Sequence, residues 1–272
     1  MYHLSLVFNK IFVVISQCFI VVLMFHVPHS ASIEKSEKPK LVIVIDDIGH
    51  QRASAEAALA LPGKLTLALL PYTPFSKEVA LKASDLGKEI ILHSPMSAVS
   101  THKDAGLGTL KSTQDKKKFL KTLNSQINFF PSARGVSNHM GSALTSQIIP
   151  MQWIMEELKL RKLYFLDSRT TNLSVAARVA EAKGVPYLER EFFLDNTINR
   201  QAISQKLKEA VGYAKSEGLA VAIGHPYPQT LTLLSDRIPE IERNGIDLIW
   251  ASEALEMKNA LIEGKSKDTS GH

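Results

Sequence analysis

"KLVIVIDDIGH", residues 40–50, decides how the rest of the chain is read. The apolar run from Leu41 to Ile45 has the pattern of a strand buried on both faces, as in parallel sheets covered by helices. Two carboxylates, Asp46 and Asp47, follow at once, and then Gly49 and His50. Bringing two buried charges together at one strand end is costly unless they serve some chemistry. Adjacent side chains of a strand point to opposite faces, so both acids reach one site only if the backbone turns straight after Ile45.

Downstream, short apolar runs alternate with longer amphipathic stretches. The candidate strands are 41–45, 65–70, 89–93, 135–139, 163–167, 185–188, 219–225 and 246–250. Between them, Phe119, Leu120, Leu123 and Ile127 recur at helical spacing, with Ser112 and Asp115 as candidate caps. Two further helical patterns stop at Gly184 and Gly218, residues suited to a helix C-terminus. Strands alternating with helices predict parallel strands joined by crossovers. No composition break or repeat interrupts residues 41–255, so the expected architecture is a single-domain (β/α)7–8 barrel. An open doubly wound sheet is the alternative.

Residues 1–32 read as a signal peptide. A lone Lys10 precedes the apolar stretch "IFVVISQCFIVVLMF" (11–25), and the small residues of "PHSAS" follow it. Export to the periplasm or outside the cell, with cleavage near Ala31 or Ser32, is the expectation. An uncleaved anchor is the alternative, and it would be the chain's one link to a membrane. Residues 33–39 form a linker, 40–256 the folded domain, and 257–272 a polar tail expected to be disordered. Cys18 is the only cysteine, so the exported body cannot form a disulfide. The net charge is +5, but basic residues lie beside acids and not among aromatics. Nucleic acid is therefore not an expected partner.

The predicted strands end on ionisable residues. Asp46 and Asp47 follow the first, His93 ends the third, His139 the fourth, Asp167 the fifth and His225 the seventh. Singly, each could be a helix cap or a satisfied polar residue. Together, six such groups on one rim of a parallel barrel lie where active sites are built. One carboxylate and two imidazoles make an open site for zinc or a similar divalent ion. The second carboxylate could serve as general base, and a third histidine on the opposite side could protonate a leaving group. That combination is a hydrolase's.

The runs "VIVIDDIG", "LALLPY", "ILHSPM", "NHMGS", "FLDSRT", "FFLDN" and "IGHP" resemble, in order, the motifs of the divergent polysaccharide deacetylases. That family is a distant branch of the NodB-type carbohydrate esterases, and the resemblance covers about residues 40–255. It implies a distorted (β/α) barrel that removes acetyl groups from an amino sugar with the help of a metal. Asp46 then matches the base, Asp47 the metal-binding carboxylate, His93 the first metal-binding histidine and His225 the acid. The family's second histidine stands four residues after the first, where this chain has Ser97, and His139 is the inferred substitute. One divalent ion, zinc by preference, is thus expected on Asp47, His93 and His139. Asp167 is the candidate for orienting His225, and Asn138 for contacting substrate. Arg169 would either contact substrate or hold an acid in place, and Arg190 would form a structural pair with Asp195. An envelope polysaccharide or peptidoglycan is the implied substrate. The alternatives are a non-catalytic carbohydrate-binding envelope protein and a metal-dependent peptidoglycan amidase.

Overall fold

The computed structural model of the protein describes residues 38–100 and 105–258. The signal segment and most of the linker and tail lie outside them. Everything described belongs to one compact unit, Glu37–His272.

In chain order the elements are β1 (Lys40–Ile48), α1 (Arg52–Leu59), β2 (Thr66–Leu69), α2 (Ser76–Asp85), β3 (Glu89–Met96) and α3 (Lys116–Phe129). There follow β4 (Gly135–Met140), α4 (Ile148–Arg161), β5 (Tyr164–Asp167), α5 (Ala176–Lys183), β6 (Tyr187–Glu189) and β7 (Phe192–Phe193). The last are α6 (Arg200–Glu217), β8 (Leu219–Gly224), α7 (Pro228–Arg243) and β9 (Asp247–Leu248). A final helical stretch covers 251–258. Asp115, not Ser112, caps α3 by accepting from the Lys118 N–H at 2.9 Å. Gly184 and Gly218 end α5 and α6 in the left-handed conformation, at φ 65° and 85°.

Every strand pairing is parallel, in the order β6-β5-β4-β3-β2-β1-β8-β7, with β9 on the end of β1. The two edges, β6 and β7, are consecutive in sequence, with only Arg190 and Glu191 between them. The Arg190 N–H donates to the Asp167 carbonyl of β5, and the Glu191 N–H to the Val221 carbonyl of β8, each at 3.0 Å. Two adjacent residues can bond both margins of the sheet only if it has curled until those margins meet. The sheet is therefore a distorted barrel, not an open doubly wound layer.

Alternation sorts the side chains. Leu41, Ile43 and Ile45 pack outward under the helices, whereas Val42 and Val44 join Ile91, Leu166, Val221 and Ile223 in a separate inner cluster. Ala251, Ala254 and Leu255 of the final helical stretch also join that inner cluster. The inward positions run on at the C-terminal ends of the strands as Asp46, His93, Ser137, His139, Ser168 and His225. These polar residues lie above an apolar floor, on the rim that the strand ends predicted.

Candidate active site

Asp46 reaches the rim by simple alternation after Val42 and Val44. Asp47 does not, because its alternation would send it outward. The register between β1 and β2 resolves this: Ile45 pairs with Leu67 and Ile48 with Leu69, so three steps on one strand match two on the other. The extra residue is a β-bulge. Asp47 has φ 59°, the left-handed region that Asp tolerates better than most residues. Two further strand-end residues share this conformation, Met140 at φ 55° and Arg169 at φ 50°. The strand thus does not turn away after Ile45 as expected; it continues to Ile48 and swings one residue inward.

The bulge brings Asp47 Oδ1 to 2.7 Å from His139 Nδ1 and 3.2 Å from His93 Nε2. Asp46 Oδ2 lies 3.5 Å from the same His93 nitrogen. The other His93 ring nitrogen, Nδ1, is 2.7 Å from Ser137 Oγ, which fixes the ring and leaves Nε2 toward the site. On the far side of Asp47, His225 Nε2 stands 3.9 Å from Oδ2. Asp46, Asp47, His93, His139 and His225, with Met140, Thr170 and Phe193, line a cleft of about 480 Å³.

Burial raises the Asp46 carboxyl above its ordinary pKa, with the Asp47 charge adding to the effect, against the opposing pull of the three histidines. Burial works the same way on Asp47. There the His139 and His93 imidazoles outweigh it and hold the carboxyl well below the usual carboxylate range. Two adjacent acids are driven apart in proton affinity, as suits a ligand beside a base.

Asp47, His93 and His139 each offer one ligand atom, and these atoms lie within 4.8 Å of one another. One carboxylate oxygen and two imidazole nitrogens are donors that zinc and similar ions accept, with positions left open. Among the described residues, four buried side-chain polar atoms have no hydrogen-bond partner: Oδ1 of Asp46, Oδ1 of Asp47, Oγ of Ser168 and Nε1 of Trp250. Three of the four belong to residues lining this cleft. His139 Nδ1, 2.7 Å away, is the nearest ring nitrogen to Asp47 Oδ1. A cation among these atoms would satisfy what the protein leaves unsatisfied. The residues fit a metal.

The sequence profile of the divergent polysaccharide deacetylases matches residues 43–255. The chain belongs to that family. It is 36% identical over 216 residues to the uncharacterized protein YibQ of Escherichia coli, covering 79% of this chain and 67% of that one. Among solved structures, an uncharacterized protein from Agrobacterium tumefaciens superposes with a TM-score of 0.77 at 20% identity, over 81% of this chain and 90% of that one. Peptidoglycan deacetylase PdaC from Bacillus subtilis shares the fold at a TM-score of 0.52 and 13% identity, over 86% and 98% of the two chains.

Within this deacetylase-family barrel, several expected roles are redistributed. Ser97 follows the last residue of β3, four residues past His93 and so about 13 Å of extended chain away at roughly 3.3 Å per residue. Its backbone ties two rim loops together, the N–H donating to Leu110 and the carbonyl accepting from Ala143 and Leu144. His139, beside Pro95 in the β3–β4 register, brings an imidazole back to the site. Asp167 does not orient His225. It lies on the outward side of β5, where it accepts from Ser174 Oγ at 2.6 Å and from the Arg169 N–H at 2.8 Å. Asp195 takes that role, as alternation from inward-facing Phe193 would have indicated. Its Oδ1 is 2.8 Å from His225 Nδ1, and its Oδ2 accepts from the His225 N–H at 2.6 Å. Arg190 therefore has no pair with Asp195; it bonds the carbonyls of Ser168 and Arg169 at 2.7 and 2.9 Å. Arg169 holds an acid, Glu189, at 2.7 Å. Asn138 uses both ends of its amide within the protein, donating to the Met140 carbonyl and accepting from the Ser168 N–H. It shapes the cleft by joining β4 to the turn after β5.

Proposed function

We propose that this protein is a zinc-dependent hydrolase that removes acetyl groups from an amino sugar of peptidoglycan or a related envelope polysaccharide. The observation that carries the proposal is the three-residue ligand group of Asp47, His93 and His139, flanked by a buried second carboxylate and by a carboxylate-held histidine. Membership of a deacetylase family and the fold shared with a peptidoglycan deacetylase support the same conclusion.

A divalent cation on Asp47, His93 and His139 would supply polarisation of the acetyl carbonyl and activation of water. The chain's own groups do the proton work. Asp46, buried and high in proton affinity, accepts a proton from the attacking water. His225, protonated and held by Asp195, gives its proton to the departing nitrogen. The C–N bond then breaks, water's oxygen remains on the carbonyl carbon, and acetate and a free amine leave. Substrate enters from the open rim. The apolar inner cluster closes the barrel below.

The test is acetate release from acetylated chitooligosaccharides and peptidoglycan fragments by the purified protein, with zinc removed and restored. Zinc-dependent release that disappears in Asp46→Asn is the expected result. A wild-type protein that binds zinc and the glycan yet releases no acetate would make it a carbohydrate-binding protein instead.

A further inference from the structure

The proton-donating role of His225 requires more than the Asp195 bond, because a bond to one ring nitrogen leaves the plane of the ring free to tilt about it. The second constraint is Phe193. Its ring lies parallel to the His225 imidazole, with an interplanar angle of 4° and centroids 5.5 Å apart. The Arg190 guanidinium stands over the same phenyl ring, its Cζ 4.2 Å from the centroid. That guanidinium is itself fixed by the carbonyls of Ser168 and Arg169, at the point where the barrel margins meet.

We propose that Arg190 and Phe193 are positioning residues for His225. Arg190 locks the phenyl ring, and the phenyl ring holds the imidazole plane that points Nε2 at the cleft. The link between β6 and β7 thus serves two ends: it closes the barrel and aligns a catalytic side chain. Neither residue forms a hydrogen bond, ion pair or ring contact with the candidate ligands Asp47, His93 and His139, so their loss should spare the metal. The proposal rests on the hydrolase reading of the site, but its geometric part can be tested without turnover.

The experiment uses Phe193→Leu, which keeps an apolar side chain without a ring face, Phe193→Tyr, which keeps the face, and Arg190→Ala. The readouts are kcat and KM for acetate release, zinc content, melting temperature and the NMR signals of the His225 ring, assigned by their loss in His225→Gln. The expected result for Phe193→Leu is a kcat lower by between 10-fold and about 10²-fold, the scale on which small misplacements act. KM and zinc content should stay unchanged, and the His225 signals should shift and broaden. Phe193→Tyr should restore both rate and signals, and Arg190→Ala should disturb the same signals with Phe193 intact. His225 signals that match wild type in Phe193→Leu would overturn the proposal. So would a rate loss that Phe193→Tyr fails to rescue. If Arg190→Ala does not fold, the two Phe193 variants decide. If the wild type releases no acetate, the hydrolase reading fails, and the ring signals still decide whether Phe193 holds His225.

Discussion

Asp195 grips His225 at two points, with Oδ1 2.8 Å from the ring nitrogen Nδ1 and Oδ2 2.6 Å from the backbone N–H. Thr230 Oγ1 adds a third bond to the same carboxylate at 2.8 Å, and the Asp195 side chain has no exposed surface. A buried carboxylate so placed keeps a proton on Nδ1 and directs Nε2 toward Asp47. Burial of His225 disfavours its charge, but the Asp195 bond and charge, with Asp47 and Asp46 behind them, raise its pKa from 6.5 to about 9.

That shift predicts how stability depends on pH in metal-free protein. A histidine raised on folding contributes stability that is fully present below its unfolded pKa, near 6.5, and is lost as pH rises through about 9. The full contribution is on the order of 3 kcal/mol, at about 1.4 kcal/mol per unit. Urea unfolding of the chelated protein at pH 6 and pH 10 should show the wild type losing more stability across this window than Asp195→Asn. Equal losses would place the source of the raised pKa elsewhere.

A second prediction concerns register. If the proposed site holds one zinc ion, elemental analysis should find most of it lost in His93→Ala and in His139→Ala. Adding Ser97→His to His139→Ala should not restore it, because residue 97 lies past the site, with its backbone bonded into two rim loops. Recovered zinc in the double variant would mean that the chain just after β3 can shift toward the site.

Asp47 carries a third prediction through its backbone. At φ 59° a β-branched residue is strained, whereas glycine is at ease. Asp47→Gly and Asp47→Val both remove the ligand and should both lose the metal. Denaturant titration of the metal-free forms should find Asp47→Val the less stable of the two by roughly 1–2 kcal/mol. No difference would mean that the bulge relaxes once the carboxylate is gone.

The apolar runs made the strands legible, and their ends made the site legible: Asp46, Asp47, His93, His139 and His225 all meet in one cleft. What escaped was short or depended on parity. β7 is two residues long, too brief for any periodicity, so the barrel closure left no mark in the pattern, and the step from Phe193 to Asp195 can be counted only once Phe193 is known to face inward. Asp167 ends a strong apolar run, the same local signal that marks His93 and His225. Counting in twos from Leu166, an inner-cluster residue, puts Asp167 on the helix side. The bulge at Asp47 could not be read at all, since it reflects pairing with β2 and not local composition. The helix caps and glycine stops are local features, so the sequence itself marks Asp115, Gly184 and Gly218.

The last prediction separates the two acids. Asp46 is 2% exposed and points inward by alternation; its Oδ1 has no hydrogen-bond partner, and burial raises its proton affinity. Asp47 is the carboxylate within reach of both candidate ligand histidines. If their roles follow these environments, Asp46→Asn should retain zinc and lose acetate release by the roughly 10²–10⁴-fold of a missing general base. Asp47→Asn should lose zinc and activity together. Asp46→Asn also replaces a desolvated acid by a neutral isostere beside the Asp47 charge, so the metal-free variant should be no less stable than wild type. The measurements are zinc content, acetate release at saturating substrate, and denaturant midpoint on one preparation of each variant. Zinc lost from Asp46→Asn would make Asp46 a ligand and leave the proton acceptor to be found elsewhere on the rim.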